Sequence, residues 1–461
     1  MNALSTLKAN LIGFGKKSQG FFYGPFFPVF AALTSSTCYV ANQPYVALFL
    51  FAFSAFIIFT CYKDVTPIIP LLLMVVMTFK DYSIMDEPWG YLALSPAMIG
   101  FLAHFVLYPP KGYRLGKLTF PLIFVIMAMF LSGIASPNNQ LSSYLAYAIA
   151  LGPTILIVYL FFSMYVEPPK WFSLKRYLCY VFMIIGLNMM LHVMFSHVNE
   201  QLFDKYIFYE LGWANINTPA TFMSFAVPAI FYLMTKSKNF APYFLALVFL
   251  IACLYLTNSR AALGLIGFSF PFLSFFAYKK IDKQQRKFFL TYILFAVAVL
   301  FLLLIYLIDF YKLDYLVNYV KENVLDKDRI SLYKEAIELL KKFPIFGAGL
   351  GYASPDPNYA ELTYLRSYNF HSTFFHVIAT MGVCGLLAYI VYFVQRIRIL
   401  TTNSSTFNLF TFFVFIMFES HSMIDTGEFN AIPLMCALTV MIAVVENVSR
   451  FEKPLPLRKD D

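Results

Sequence analysis

Long apolar segments recur along the whole sequence, and most are about long enough to cross a lipid bilayer as a helix. A helix of about 20 residues spans a hydrocarbon core of roughly 30 Å. Of the 461 residues, 60% are hydrophobic and only 13% are charged, which excludes a soluble protein with a single core. The sequence therefore predicts an integral membrane protein. The apolar segments cover residues 21–38, 44–62, 66–79, 90–108, 119–135, 142–162, 177–196, 215–234, 240–257, 261–278, 288–311, 372–394, 407–424 and 431–447.

These segments predict an all-α fold, a polytopic bundle of about 12 to 14 transmembrane helices. The lower number allows for segment 66–79, which is short and contains two prolines. Only one polar segment is longer than a connection. The chain is therefore expected to divide into an N-terminal membrane region with about eleven helices, one large loop, and a C-terminal region with the last helices and a tail. These three regions are residues 1–311, 312–371 and 372–461.

Lysine and arginine are distributed unevenly between the two sides of the predicted bundle. If the N-terminus is cytoplasmic, 23 of the 34 lysines and arginines fall in cytoplasmic segments, Arg396 and Arg398 among them. Positive residues favour the cytoplasmic side of short loops. The pattern predicts that both termini are cytoplasmic and that the large loop is external. The net charge of +9 then follows from this asymmetry, so no nucleic-acid partner is expected.

Two further features of the sequence concern the membrane anchor and the cysteines. Lys16 and Lys17 precede the first apolar segment, and no small-residue cleavage site follows them, so this segment is expected to remain as an anchor. The six cysteines fall in or at the ends of predicted spans without a pairing motif. They are expected to pack as small apolar residues.

The large loop contains one predicted helix, in the stretch "LDKDRISLYKEAIELLKKFP" that ends at Pro344. Asp326 or Asp328 would cap its start, and the proline stops it. Apolar residues recur at helical spacing, which predicts an amphipathic helix that lies on the membrane or on other loop residues. The residues of this predicted apolar stripe are Ile330, Tyr333, Ile337 and Leu340.

Two motifs in the loop each have two interpretations. The stretch "GAGLG" at 347–351 resembles a phosphate-binding loop, but it lacks the full spacing and follows a helix, which favours a backbone turn. Asp326 and Asp328 could form the paired-carboxylate metal site of nucleotide-sugar transferases. Two acids directly before a helix are more economically caps and partners of the helix dipole. We therefore expect no metal and no cofactor.

Five of the six histidines and several charged residues lie at the predicted external ends of the spans, and among the histidines only His104 lies near an internal end. A charge at the bilayer centre costs about 2.5 to 3.5 kcal/mol, so such groups need partners or a function. Interfacial snorkelling explains any one of them, whereas the collection favours a polar pocket that opens to the outside. The external residues are His192, His197, His371, His376, His421, Arg260, Glu419, Asp425 and Glu428.

Three stretches in order along the chain resemble the bacterial O-antigen ligase and O-antigen polymerase family. They are "NSRAALGLIGF" (258–268), "DRISLYKEAIELLKKFPIFGAGLG" (328–351) and "FHSTFFHVIATMGVCGLLAYI" (370–390). The shared features are a Ser-Arg that starts a helix, a Pro-x-x-Gly-x-Gly turn in a long external loop, and a histidine that opens the next span.

The resemblance implies a membrane glycosyltransferase of the multi-helix lipid-sugar transferase architecture. Such an enzyme moves a glycan from an undecaprenyl-diphosphate carrier to a hydroxyl of a glycan, lipid or protein acceptor. The reaction would take place on the external face of the bacterial cytoplasmic membrane, in the assembly of cell-envelope polysaccharide such as lipopolysaccharide. It would use no nucleotide sugar. A ligase and a polymerase differ only in the acceptor, and the sequence does not separate them.

The resemblance also implies roles for individual residues. Arg260 corresponds to the essential external arginine of the family and His371 to its loop histidine, while Ser372 stands where the family often has asparagine. An arginine stays protonated and binds two oxygens at once, which suits a diphosphate. A histidine can take the proton of an acceptor hydroxyl. Further expected contributions are Arg329 and Arg366 as additional diphosphate contacts, and Glu419 as a residue that orients His371 or replaces it as base.

Two other classes of protein compete with the enzyme. A flippase or other transporter of lipid-linked oligosaccharide would place ionisable groups near the middle of the membrane, and the predicted spans contain almost none there. A scaffold would not need polar residues on one side only. The sequence therefore favours the transferase, with the transporter as a second alternative.

Overall fold

The computed structural model describes residues 2–79, 88–110, 115–197, 210–211, 214–215, 217–257, 259–311, 327–352, 370–424, 427–429 and 432–451. These residues form sixteen α-helices. In chain order α1 to α16 are Asn2–Phe22, Phe26–Val40, Pro44–Cys61, Ile68–Met74, Pro88–Leu107, Thr119–Leu131, Leu141–Tyr165, Leu174–His197, Asn217–Thr235, Ala241–Leu256, Arg260–Lys280, Arg286–Tyr311, Lys327–Lys342, Thr373–Thr401, Thr406–Ser422 and Ile432–Phe451. Two 3₁₀ turns, Val75–Thr78 and Lys283–Gln285, and one antiparallel pair of two-residue strands, Glu210–Leu211 and Ala214–Asn215, complete the described structure.

Each of the fourteen predicted apolar segments overlaps most of one of these helices, so the predicted all-α polytopic class is confirmed. Among the described residues, eight helices are long and apolar enough to cross a membrane, and four shorter apolar helices accompany them. Helix α1 was not predicted. A turn at Tyr23–Pro25 separates it from α2, because Pro25 has no backbone N–H with which to continue the helix.

The short segment at 66–79 runs along α3 although its helix α4 has only seven residues. The N–H of Val65 donates to the carbonyl of Tyr165 at the end of α7, 3.1 Å away. At the other end of the segment, Phe79 packs with Leu48 and Ala93, near the starts of α3 and α5. The chain therefore returns from the end of α3 to near its start. Irregular backbone at membrane depth is tolerated where the protein covers it, and this segment is mostly buried.

Asp64 joins three connections at the end of the bundle where α3 and α7 finish. Its carboxylate accepts hydrogen bonds from the hydroxyls of Tyr23 and Thr66, both at 2.8 Å, and from the N–H of Glu167 at 2.7 Å. Burial raises the pKa of the Asp64 carboxyl to about 6, although these hydrogen bonds act in the opposite direction. The turn between α1 and α2 is thereby fixed to the connection between α7 and α8.

We call the other end of the bundle, where α13 and the start of α14 lie, the loop end. Here the segment after α13 forms hydrogen bonds with α14 at a break in that helix. Gly382 lies inside α14 with φ 62° and ψ −154°, a region that essentially only glycine adopts. The break interrupts the hydrogen bonds of the helix, and residues 344–349 replace them. The four bonds run from Val383 N to Pro344 O (2.9 Å), from Cys384 N to Ile345 O (3.1 Å), from Ala348 N to Ala379 O (2.7 Å) and from Gly349 N to Thr380 O (2.9 Å).

The stretch 347–351 is a backbone turn, as predicted. All five of its N–H groups donate within the protein, so the turn has none to offer to a phosphate. Besides the two bonds to α14, these groups donate to the residue that follows α13 and to residues between α6 and α7. They run from Gly347 N to Phe343 O (3.0 Å), from Leu350 N to Ser132 Oγ (3.4 Å) and from Gly351 N to Asn139 Oδ1 (3.1 Å).

Helix α13 forms at the predicted place, but its buried face differs from the predicted stripe. Ile330 and Ile337 are each 41% exposed, whereas Leu332, Ala336 and Leu339 are buried. These three pack in one cluster with residues of α14 and of the Gly-rich segment. The fully buried alanine allows α14 to approach closely, and this contact decides which face of α13 is covered.

A substitution at Gly382 tests whether the bonds from residues 344–349 stabilise the break in α14. Replacing Gly382 with alanine would place a Cβ 2.6 Å from Ile345 O and would force alanine into a glycine-only conformation. We expect Gly382→Ala to lower the free energy of unfolding by about 1–3 kcal/mol, measured by thermal unfolding in detergent. Gly264→Ala in α11 is the matched control, because a Cβ there meets no atom within 4 Å and alanine favours the helix. Equal stability of the two variants would contradict the conclusion that α14 needs the break at Gly382 and its bonds to residues 344–349.

Candidate functional site

Helix α13 connects the start of α14 to the end of α15 at the loop end. Arg329 Nη1 donates to the carbonyl of Ile424, just after α15, at 2.8 Å. One turn later, the ring of Tyr333 stacks on Phe375 with centroids 4.2 Å apart, and its hydroxyl donates to the carbonyl of His371 at 3.3 Å. The side chain of Arg329 and the backbone of His371 are thereby fixed to the same helix, one turn apart.

His371 has an unusual backbone conformation. Its φ is 49°, in the left-handed region that few residues other than glycine adopt. The residue is half-buried between the fully buried Phe370 and Ser372, the N-cap residue of α14. Such conformations persist where the surroundings impose them, and they cluster at functional sites. The contact with Tyr333 is one element that holds this turn.

The starts of α9 and α11 and the end of α15 also meet at the loop end. Ser259 Oγ donates to Asn217 Oδ1 at 3.1 Å, which joins α11 to α9. Thr221 on α9 lies 3.3 Å from His421 Nδ1 on α15 and donates to the carbonyl of Asn217 at 2.8 Å. Arg260 follows Ser259 directly and is the first residue of α11. Its backbone therefore lies at the loop end; its side chain is outside the described part of the structure.

A cation at the first position of a helix is electrostatically unfavourable, because the helix dipole places partial positive charge there. The first turn of α11 contains no acidic residue, and the side chain of Ser259 does not cap the helix. The dipole of α11 therefore does not explain why an arginine stands at position 260. Together with the helix N-terminus it forms a positively charged position suited to an anion.

A buried ionic cluster lies inside the bundle beside α15. Arg396 on α14 is completely buried and forms ion pairs with Glu419, at 2.9 Å, and with Glu428. A second bond runs from Arg396 Nη2 to Glu428 Oε2 at 3.1 Å. The Tyr389 hydroxyl donates to Glu419 Oε2 at 2.7 Å, and the Arg396 guanidinium lies 3.9 Å from the centre of the Tyr392 ring. The cluster joins α14, α15 and the chain that enters α16.

This cluster corrects two expectations. Arg396 was assigned to a cytoplasmic connection, but α14 continues past it to Thr401 and the side chain points into the bundle. The spans were expected to contain almost no ionisable groups near the middle of the membrane, whereas the described residues place Arg396, Glu419 and Glu428 together inside the bundle. The sequence did contain a signal, since two glutamates flank the end of α15 and a buried carboxylate needs a partner. The Glu419 carboxylate contacts Arg396 and Tyr389, and its role beside His371 stays a prediction.

The other predicted residues fall into three groups. His376 is buried in the first turn of α14, near His371. His192 Nε2 on α8 lies 3.5 Å from Ser35 Oγ on α2, and His104 Nδ1 lies 2.8 Å from the carbonyl of Phe59. The remaining predictions lie outside the described residues or side chains; they concern Arg366, Asp326, Asp328, His197 and Asp425. Within the described part of the chain, no group of three histidine, cysteine, aspartate or glutamate residues could hold a metal ion.

A bundle of membrane-spanning helices that gathers arginine and histidine residues at one end defines a polytopic membrane protein with a polar site at that end. Residues 245–390 match the family model described as O-antigen ligase. This match runs from α10 to the middle of α14 and includes Arg260, Arg329 and His371. Over this segment the chain is similar to the O-antigen ligase family, which confirms the resemblance seen in the sequence. No curated protein matches the chain in a sequence comparison.

The buried cluster predicts unequal effects of removing its members. Arg396→Met leaves two buried carboxylates without their cation, and we expect it to lower the free energy of unfolding by about 3–5 kcal/mol. Glu428→Gln should lower the free energy of unfolding by a smaller amount, because Arg396 keeps its ion pair with Glu419. The control is Arg398→Met, since Arg398 is exposed on the same helix. Thermal unfolding of the purified variants measures the difference. Wild-type stability of Arg396→Met would contradict the conclusion that Arg396 stabilises the bundle through its two ion pairs.

Proposed function

We propose that the chain is a membrane glycosyltransferase that moves a glycan from an undecaprenyl-diphosphate carrier to an acceptor hydroxyl. The observation that supports this proposal most strongly is that Arg260 and His371 both lie at the loop end, within the segment that matches the O-antigen ligase family. The family supports ligase or polymerase chemistry in general; the donor, the acceptor and the roles of the residues are part of the proposal.

In the proposed reaction, Arg260 binds the donor diphosphate. The guanidinium offers two parallel N–H donors to the phosphate oxygens, and the N-terminus of α11 adds its partial positive charge. This arrangement explains why a cation occupies a position where the helix dipole disfavours one. Arg329, fixed by Ile424 at the other side of the loop end, and Arg366 contribute further contacts as charge develops on the leaving group.

His371 acts on the acceptor. Its imidazole takes the proton of the acceptor hydroxyl while the hydroxyl oxygen forms a bond to the anomeric carbon. The bond between that carbon and the diphosphate oxygen breaks, and undecaprenyl diphosphate leaves with the electron pair. The bonds formed and broken in this transfer balance without an oxidant, a nucleotide sugar or a metal ion. Glu419 would orient His371 or replace it as base if its carboxylate were released from the ionic cluster.

The proposal places the loop end on the external face of a bacterial cytoplasmic membrane, with both termini in the cytoplasm. The buried ionic cluster does not favour the transporter alternative, because its charges pair with one another. Ligase and polymerase remain two versions of one reaction that differ in the acceptor.

The two principal roles predict different kinetic defects. Arg260→Ala should weaken the binding of undecaprenyl diphosphate by about 10- to 100-fold and slow turnover, and Arg260→Lys should recover only part, because a point charge replaces a planar fork. His371→Ala should leave this affinity nearly unchanged and slow single-turnover transfer by about 10²- to 10⁴-fold. Affinity and rate are measured for both in proteoliposomes.

Lys334→Ala is the control, because Lys334 is an exposed cation on α13 next to Tyr333 and should affect neither quantity. Protein amount and thermal stability are checked for every variant, since a misfolded protein would lose both functions. Normal transfer by His371→Ala would remove the assignment of the base, and Glu419 would be tested next.

A further inference from the structure

Three buried polar atoms in the first turn of α14 have no hydrogen-bond partner in the part of the chain that the structure describes. They are Thr373 Oγ1 and both ring nitrogens, Nδ1 and Nε2, of His376. Thr373 is 0% exposed and His376 is 1% exposed. Native proteins contain few buried polar atoms without partners, and such atoms often belong to a site whose ligand or water is missing.

The geometry directs these atoms toward His371. Thr373 and His376 are three residues apart and therefore lie on one face of the helix. Helical side chains lean toward the N-terminus, which here is the chain entering at Phe370 and His371. The His376 ring lies 6.1 Å from the ring of Phe370, measured between centroids, which agrees with this direction.

The surroundings fit a sugar. The N-cap residue Ser372 makes no side-chain cap bond, so the first N–H groups of α14 add donors at the same place. Tyr333 and Phe375, whose rings stack on each other with centroids 4.2 Å apart, add aromatic surface beside this turn. Apolar surface with a few convergent polar groups is typical of small-molecule sites.

The donor and acceptor properties of the set indicate which ligand binds. A neutral imidazole has one donor and one acceptor, and a threonine hydroxyl has both. A phosphate without protons accepts hydrogen bonds only and would leave the acceptors unused, whereas a sugar hydroxyl donates and accepts. We propose that Thr373 and His376 bind a hydroxyl of a carbohydrate acceptor next to His371. This inference rests on the proposed function. Because both side chains are covered, entry of the acceptor requires a local shift of the residues around this turn.

The alternative is that bound water satisfies the three atoms, and stability separates the two cases. Thr373→Val keeps the shape and removes an unpartnered hydroxyl, so it should keep or raise the melting temperature of the acceptor-free protein. The same variant should raise the acceptor KM by about three- to tenfold at unchanged affinity for undecaprenyl diphosphate. Thr373→Ser retains the hydroxyl and should retain the acceptor KM.

Thr380→Val is the matched control, because the Thr380 hydroxyl lies one turn below His376 and donates to its carbonyl at 2.6 Å. This variant should leave the acceptor KM unchanged. His376→Leu should behave as Thr373→Val does, and His376→Gln, which keeps a donor and an acceptor, should recover part of the affinity. The acceptor probe is the glycan isolated from the same cells.

Two results would overturn this inference and leave the proposed function standing. In the first, Thr373→Val and His376→Leu lower the melting temperature and leave the acceptor KM unchanged. In the second, both the melting temperature and the acceptor KM stay unchanged. In both cases the wild-type protein transfers glycan normally. Absence of transfer by the folded wild-type protein would instead overturn the proposed function, and this inference with it.

Discussion

The backbone hydrogen bonds that residues 344–349 give to α14 determine how the loop end is built. Peptide groups inside a bilayer have no water with which to pair, so a break in a spanning helix must be satisfied by the protein. Here the break at Gly382 is satisfied by the chain that leaves α13. This anchors α13 against α14, and α13 in turn holds the His371 backbone through Tyr333 and the end of α15 through Arg329. A loop that would otherwise be only a connection becomes part of the site.

Charge is placed in two ways in this molecule. Arg396 is paired with two glutamates inside the bundle, and such a set holds together α14, α15 and the chain that enters α16. Arg260 occupies the positive end of a helix whose first turn has no acidic residue. The first arrangement is satisfied within the protein, whereas in the proposed function the second binds the diphosphate of the donor. The Tyr352 hydroxyl gives a smaller example of internal pairing: burial and the neighbouring Glu335 raise the pKa of its phenol, which donates to that glutamate at 3.1 Å.

The fold class and the helix positions could be predicted because the length and polarity of apolar segments depend on the bilayer alone. The turn at 347–351 and the helix α13 were also predictable from local chemistry. The buried face of α13 was not, since it depends on Ala336 meeting α14 and not on the spacing of large residues. Arg396 was misplaced for a similar reason: its position near a helix end is typical of a cytoplasmic charge, and only the tertiary contact with Glu419 and Glu428 reveals its environment. Thr373 and His376 stand out only when their lack of partners is known.

The measurement that tests the central claim most directly follows the fate of the lipid-linked glycan. Cells that lack this chain are expected to accumulate glycan on undecaprenyl diphosphate, and that material supplies the donor. Purified protein in proteoliposomes should consume it with the acceptor and release one undecaprenyl diphosphate for each glycan joined. A longer lipid-linked product would identify a polymerase, and glycan on a different acceptor a ligase. Movement of the intact lipid-linked glycan across the membrane, with no bond broken, would contradict the account.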